Sequence, residues 1–377
     1  MTAIPLSAPD ITDAEIEAVT RVLRTPHLSL GPELQAFEEA FASYHGVENA
    51  VAVSSGTAGL HLALLTLGIG AGDEVIVPSF AFVAVANAVV QAGATPVFAE
   101  IDPVTLNLDS VAIERAITPR TRAVIIVHTF GVPAQMDALM MLARQRGLAV
   151  IEDTCEAIGA RFGDAGQARL TGTFGDLAVF GFYPNKQMTT GEGGAVLARD
   201  PAHADRLRSL RNQGRTPGGD WLDHAEIGYN YRLSEMACAL GRVQLSRLDE
   251  MLTLRSRAAV RYAEMLSEIP GIELPPLTLP QRVISWFVYV VRLPAAVNRD
   301  RVQAALHTLG IGTGRYFPPI HLQPAFRAAR QEAEISLPLS ESVALRALAL
   351  PFFNRIEPAQ QSAVVDALRE AVAAELG

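Results

Sequence analysis

Lysine is what this sequence lacks most: of 31 basic side chains only Lys186 is a lysine, and the other 30 are arginine. Arginine replaces lysine wherever a solvated positive charge suffices, but a guanidinium keeps its proton, whereas a desolvated amine becomes a neutral nucleophile. Lys186 is therefore either a leftover surface residue or a position that requires an amine, and composition alone weighs the two evenly. Cysteine is almost as scarce. Cys155 and Cys238 offer neither metal-ligand spacing nor a disulfide framework in a chain of 377 residues, so no metal is expected and a reducing cytoplasm fits. No basic cluster is interleaved with aromatics and the formal net charge is −9, which argues against a nucleic-acid or anionic-membrane partner. Met1 to Asp10 lacks a basic start followed by an apolar run, and no later stretch reads as a membrane span. A soluble cytoplasmic protein is the expectation.

What is present is a large apolar fraction, 49%, in a chain long enough for an α/β core and a second domain. From Ala50 to about Arg199, short β-branched runs alternate with helical stretches, the pattern of a parallel sheet with crossover helices. The runs begin at Ala50, Glu74, Pro96, Ala123, Ala149, Leu177 and Gly194. A helical stretch from Ser234 to about Ser267 leads out of this unit, Pro270 to Pro280 breaks regularity, and Ser285 to Leu293 reads as a strand. The resulting expectation is a large domain over 1–250 and a smaller α+β domain over 251–377.

In such sheets ligands gather beyond the carboxyl ends of the strands. Three candidates fall there. Ser55-Gly56-Thr57 opens a helix, where backbone amides, a glycine and a hydroxyl can cradle a phosphate, although the same residues make an ordinary helix cap. Asp153 ends a strand and can hold a pyridine nitrogen protonated, or simply cap the next turn. Phe180 to Lys186 follows a third strand, with Gly191-Glu192-Gly193-Gly194 soon after. Phosphate cradle, pyridinium partner and amine nucleophile are the fixtures of a pyridoxal 5'-phosphate (PLP) site, and their coincidence is stronger than any member alone.

Further ordered motifs include Ser55 to Leu64, Gly72 to Pro78, Ile151-Glu152-Asp153, Gly228-Tyr229-Asn230-Tyr231-Arg232 and Pro319 to Pro324. With these, nearly the whole chain resembles the DegT/DnrJ/EryC1/StrS family of PLP-dependent nucleotide-sugar aminotransferases, of fold-type I architecture. The resemblance implies that Lys186 forms the Schiff base and shuttles the proton, with pyridoxamine 5'-phosphate as intermediate. It implies that Asp153 pairs with the ring nitrogen, Gly56 and Thr57 hold the phosphate, Phe82 lies against the ring or in the core, and Glu156 sits near the cofactor hydroxyl. It also implies a homodimer with shared active sites, in which Asn230 reaches the neighbouring subunit's phosphate. Arg232, Tyr316 and His321 would meet the substrate, a nucleotide-linked keto sugar, with glutamate as amino donor. The products would serve cell-surface polysaccharide or secondary-metabolite biosynthesis.

Two positions depart from the family pattern: Gly181 replaces a common phosphate-binding serine, and Glu156 stands where many members have Gln or His. Glu156 together with Asn185 to Glu192 resembles the perosamine-synthase-like branch, which aminates C4 of a 4-keto-6-deoxy sugar. A sugar dehydratase of the same fold is the enzyme alternative, but a histidine replaces the lysine in that branch. A non-catalytic PLP-binding sensor is the other, resting only on Gly181.

Overall fold

The computed structural model describes residues 3–328 and 335–377, apart from 217, 219 and 221. Twelve strands are found among them: β1 Asn49–Val53, β2 Glu74–Pro78, β3 Thr95–Ala99, β4 Thr121–Val127, β5 Ala149–Asp153, β6 Arg161–Phe162, β7 Arg169–Leu170, β8 Leu177–Gly181, β9 Gly194–Ala198, β10 Arg282–Val283, β11 Tyr289–Arg292 and β12 Ala347–Leu350. Seven form the central sheet in the order β1-β9-β8-β5-β4-β2-β3. All seven are the runs expected from the sequence. Pairing is parallel from β3 through β8, and β9 alone runs antiparallel to both its neighbours, β8 and β1. The reversal follows from the loop lengths. β8 and β9 are joined directly through the Lys186 loop, with no crossover helix to return the chain to the other edge.

The strands are buried on both faces, as a parallel sheet covered by helices requires. On one side Val51, Val77, Ile125, Ile151 and Val179 pack against the helices Gly56–Thr66 and Ala84–Gln91. Elsewhere Phe37 and Phe41 from the helix Pro32–His45 meet Phe180 and Phe182, with ring centroids 5.0–5.8 Å apart. Each such ring withdrawn from water contributes about 1.5–3 kcal/mol.

A separate apolar cluster is drawn mainly from residues 258–372, including Tyr262, Tyr289, Leu350 and Leu368, and it also takes in Ile4. Ile4 pairs with Ile311, so the N-terminal segment packs on the C-terminal part of the chain. Two expectations change here. The stretch 234–267 is two helices, Glu235–Ser246 and Leu248–Leu266, meeting at Arg247, whose guanidinium holds Asp10 at 3.2 Å and Glu15 at 2.6 Å. The strand expected over 285–293 is confined to β11, because Ser285 to Phe287 crosses to the loop after β4. There the Ser285 amide donates to Gly131 O at 3.0 Å. Gly131 makes this approach possible: its φ is +88°, and a Cβ would stand 1.7 Å from Ser285 O. No helix among the described residues is long and apolar enough to cross a membrane.

Candidate active site

The carboxyl edges of β1, β5 and β8 open into one cavity of about 610 Å³. Its walls bring together Gly56, Thr57, Phe82, Asp153, Glu156, Lys186 and Tyr316. The placement follows from register: Val53 pairs with Gly194 and Gly181 pairs with Gly194, so the helix start after β1 lies beside the end of β8. At that start Ser55 Oγ accepts the Ala58 amide and Ser55 O accepts the Gly59 amide. Among the described residues nothing accepts the Gly56 and Thr57 amides, and the helix dipole favours an anion there. A Cβ on Gly194 would lie 2.9 Å from Gly56 N, so only glycine keeps this cradle closed. A side chain at Gly181 would meet Cys155, since a Cβ there would be 3.2 Å from Sγ. The thiol therefore holds the room that a longer residue at 181 would need. Burial and then the charge of Asp153 push the Cys155 thiol well up, which makes it a poor nucleophile.

Asp153 Oδ1 accepts the Cys155 amide at 3.0 Å, and the carboxylate borders the cavity. A carboxylate at a strand end suits a protonated ring nitrogen. Beneath it, Glu152 is fully buried and accepts from the Gly172, Phe174 and Gly175 amides and from His128 Nε2 at 3.0 Å. His128 Nδ1 in turn accepts the Ala134 amide, which fixes the neutral tautomer with its proton on Nε2. Burial would raise Glu152, but these donors hold it below its ordinary value. This network fixes the carboxyl edges of β4 and β5, and with them Asp153.

Lys186 Nζ lies 3.7 Å from Glu156 Oε1 and 3.9 Å from the centre of the Phe287 ring. Glu156 also accepts the Phe130 amide at 2.9 Å. Its carboxyl is nonetheless raised above the ordinary value, because burial outweighs Lys186 and that amide, and Asp153 adds a like charge. Tyr316 is half-buried at the cavity wall, and Asn185 Nδ2 donates to its hydroxyl at 3.4 Å. Burial, then the charge of Glu156, raises the Tyr316 phenol. Phe82 is 61% exposed and borders the cavity, so it is not a core residue.

The structure does not bring Asn230, Arg232 or His321 to this cavity. Asn230 is exposed and bridges to Asn212, whose Oδ1 also accepts from Arg232 Nη1 at 3.0 Å. His321 is buried between Ser79, 2.5 Å from Nδ1, and Glu341, 3.2 Å from Nε2, where it fastens the end of β2 to the C-terminal part of the chain. Sequence reasoning missed four residues. Phe287 floors the lysine, and Arg315 enters the mouth of the cavity. Gln187 Nε2 ties Glu156 O to Ser285 O at 2.6 and 3.0 Å, and Arg255 reaches Lys186 O. Only Gln187 had a local signal, its place next to the lysine.

Several known proteins resemble this chain over nearly its whole length. The model of the DegT/DnrJ/EryC1/StrS aminotransferase family matches residues 9–369. A dTDP-3-amino-3,4,6-trideoxy-alpha-D-glucose transaminase of Streptomyces venezuelae is 44% identical over 95% of this chain and 91% of its own length. A GDP-perosamine synthase of Caulobacter vibrioides is 38% identical over 97% of both chains. The crystal structure of S. venezuelae DesV with a ketimine intermediate superposes with a TM-score of 0.90, at 41% identity and 99% coverage of each chain.

Proposed function

The chain belongs to the DegT/DnrJ/EryC1/StrS aminotransferase family, and from that premise we propose that it binds PLP at Lys186 and moves an amino group from glutamate to a nucleotide-linked keto sugar. The observation that carries this reading is the meeting in one cavity of free helix-start amides, a strand-end carboxylate and the chain's sole lysine. These residues fit the cofactor: Gly56 and Thr57 for its phosphate, Asp153 for its ring nitrogen, Phe82 for a ring face and Glu156 for its hydroxyl side. Bound there, PLP supplies a pyridinium that stabilises negative charge developing next to the transferred nitrogen.

The protein's own share is positional and protonic. Lys186 Nζ, between Glu156 and the Phe287 ring, is placed to take a proton from the donor's α carbon and to return one to the sugar carbon. Glu156, 3.7 Å from Lys186 Nζ and with its carboxyl raised by burial, would be a hydrogen-bond partner at the cofactor's hydroxyl side. Two half-reactions through one site give ping-pong kinetics. The mouth supports an anionic substrate. Among the described residues, Arg315 and Lys186 are the only cationic side chains on the walls, and Asp300, 3.4 Å from Arg315, is shared with Arg299 at 2.5 Å. Because Asp300 is shared with Arg299, Arg315 keeps donors for a diphosphate at the mouth.

Exposed Phe82, Tyr183, Leu222 and Ile227, the last 90% exposed, support a homodimer that covers this side and lets Asn230 and Arg232 serve the partner's site. The narrower reading is amination at C4, on the resemblance of Glu156 and the Asn185–Glu192 stretch to the perosamine branch. A second reading, C3, is favoured by the name of the S. venezuelae relative. A panel of 3-keto and 4-keto sugar nucleotides, with glutamate as donor and products analysed by NMR, separates the two. Borohydride reduction followed by peptide mass spectrometry tests the cofactor reading, since a chain with one lysine gives one site to label. No adduct on Lys186 after reconstitution with excess PLP would overturn it.

A further inference from the structure

Arg255 is 1% exposed in the middle of the helix Leu248–Leu266 and forms no ion pair among the described residues. The carboxylate that acts on it from a distance, Asp10, is already held by Arg247 and Arg355. A buried charge without a counter-ion is destabilising unless its donors are met, and here backbone carbonyls meet both terminal nitrogens, while Nε has no hydrogen-bond partner among the described residues. Nη2 donates to Lys186 O at 3.2 Å, and Nη1 donates to Phe287 O at 2.9 Å and to Trp286 O at 3.4 Å. The guanidinium also lies 5.6 Å from the Phe352 ring centre. The two segments it joins are the lysine itself and the aromatic ring on which that lysine rests.

We propose that Arg255 is the positioning residue of Lys186: its planar fork locks the lysine's backbone to Phe287 and so sets where the amine stands in the cavity. This rests on the reading of Lys186 as the Schiff-base lysine. The fork matters because a rigid guanidinium addresses two carbonyls on separate segments at once, which neither an ammonium nor a thioether does. The charge matters too. Burial pushes Arg255 down to about 10, still cationic at neutral pH, and a buried cation opposes further positive charge on the nitrogen carried by Lys186. The other charged and titratable groups on the cavity walls are Asp153, Cys155, Glu156, Tyr183, Glu192, Arg315 and Tyr316, of which Glu156 is 3.7 Å from the amine.

The test compares holoenzymes of wild type, Arg255→Met and Arg255→Lys by three readings: the pH midpoint of the visible absorption band, kcat against KM, and Tm. In Arg255→Met the midpoint rises by about one pH unit as the buried cation is lost. In Arg255→Lys the midpoint stays near wild type, because the charge is kept. Yet kcat falls by roughly tenfold at unchanged KM, because the fork is gone. If Arg255→Met does not fold, the kcat and KM split of Arg255→Lys decides alone. A lowered Tm with unchanged midpoint and kcat would reduce Arg255 to a structural tie and overturn the proposal. Absence of a borohydride adduct on wild-type Lys186 is a different failure, because it removes the reading of the site itself.

Discussion

The cavity has two walls that meet at Lys186, and they are built in different ways. The strand-edge wall comes from the ends of β1, β5 and β8, where sheet register fixes Gly56, Thr57, Asp153 and Lys186 relative to one another. The opposite wall, Phe287 and Arg315 to Pro318, is held by side chains that reach across the fold: Gln187 to Ser285, Arg255 to Phe287, and Asn185 to Tyr316. The first wall has the chemistry of a cofactor site. The second has cationic and aromatic groups at an open mouth. On the proposed reading, cofactor chemistry sits on the sheet edge, and the side that meets the substrate is tied to it through Arg255 and Gln187.

If that division holds, changes on the strand-edge wall abolish turnover, and changes on the other wall alter substrate use. Lys186→Arg keeps the charge but removes the nucleophile, and activity falls by roughly a thousandfold or more, with no borohydride adduct detectable. Substantial residual activity would show that the Lys186 amine is not the group that turns over the substrate, and the reading of the site would fall. Asp153→Asn keeps the shape but loses the charge that holds a ring nitrogen protonated. We expect kcat to drop by about a hundredfold, with PLP still bound by equilibrium dialysis. A variant with normal kcat would make Asp153 only a cap for the Cys155 amide.

The same division explains what the sequence disclosed. Gly56, Thr57, Asp153 and Lys186 could be placed together from sequence because each lies at or within a few residues of the end of an apolar run, so finding the strand finds the edge. All seven central strands were visible, but the direction of β9 was not, since periodicity does not report whether a connection crosses the sheet. Arg255 and Phe287 were illegible for another reason. Arg255 is one of many arginines in a helix, and only tertiary packing brings it under Lys186, which is 69 residues away in the chain. His321 is a different case: the family resemblance implied a substrate contact, and in the structure its ring nitrogens are met by Ser79 and Glu341.

Across the mouth, Arg315→Gln sharpens the comparison. With the diphosphate reading, KM for the sugar nucleotide rises about tenfold, some 1.4 kcal/mol, while the half-reaction with glutamate is unchanged. If the glutamate half-reaction slows instead, Arg315 binds the donor's carboxylate, and the mouth serves both substrates.

The smallest expected effect lies where the walls touch, at Glu156. Its carboxyl is raised above the ordinary value of 4.5 by burial, so the folded state holds a proton that the unfolded state has released. Between 4.5 and that higher value the folded protein binds more protons, and stability therefore falls as pH rises through this window and stays lower above it. Glu156→Gln removes the titration but keeps an acceptor for the Phe130 amide. In the apoprotein the variant should lose less Tm than wild type between pH 4 and neutrality, ending about a degree or two higher near pH 7. A variant that is instead less stable than wild type near pH 7 would mean that attraction to Lys186 at 3.7 Å outweighs the cost of burial. Glu156 would then belong to the strand-edge wall as an ion-pair partner of Lys186.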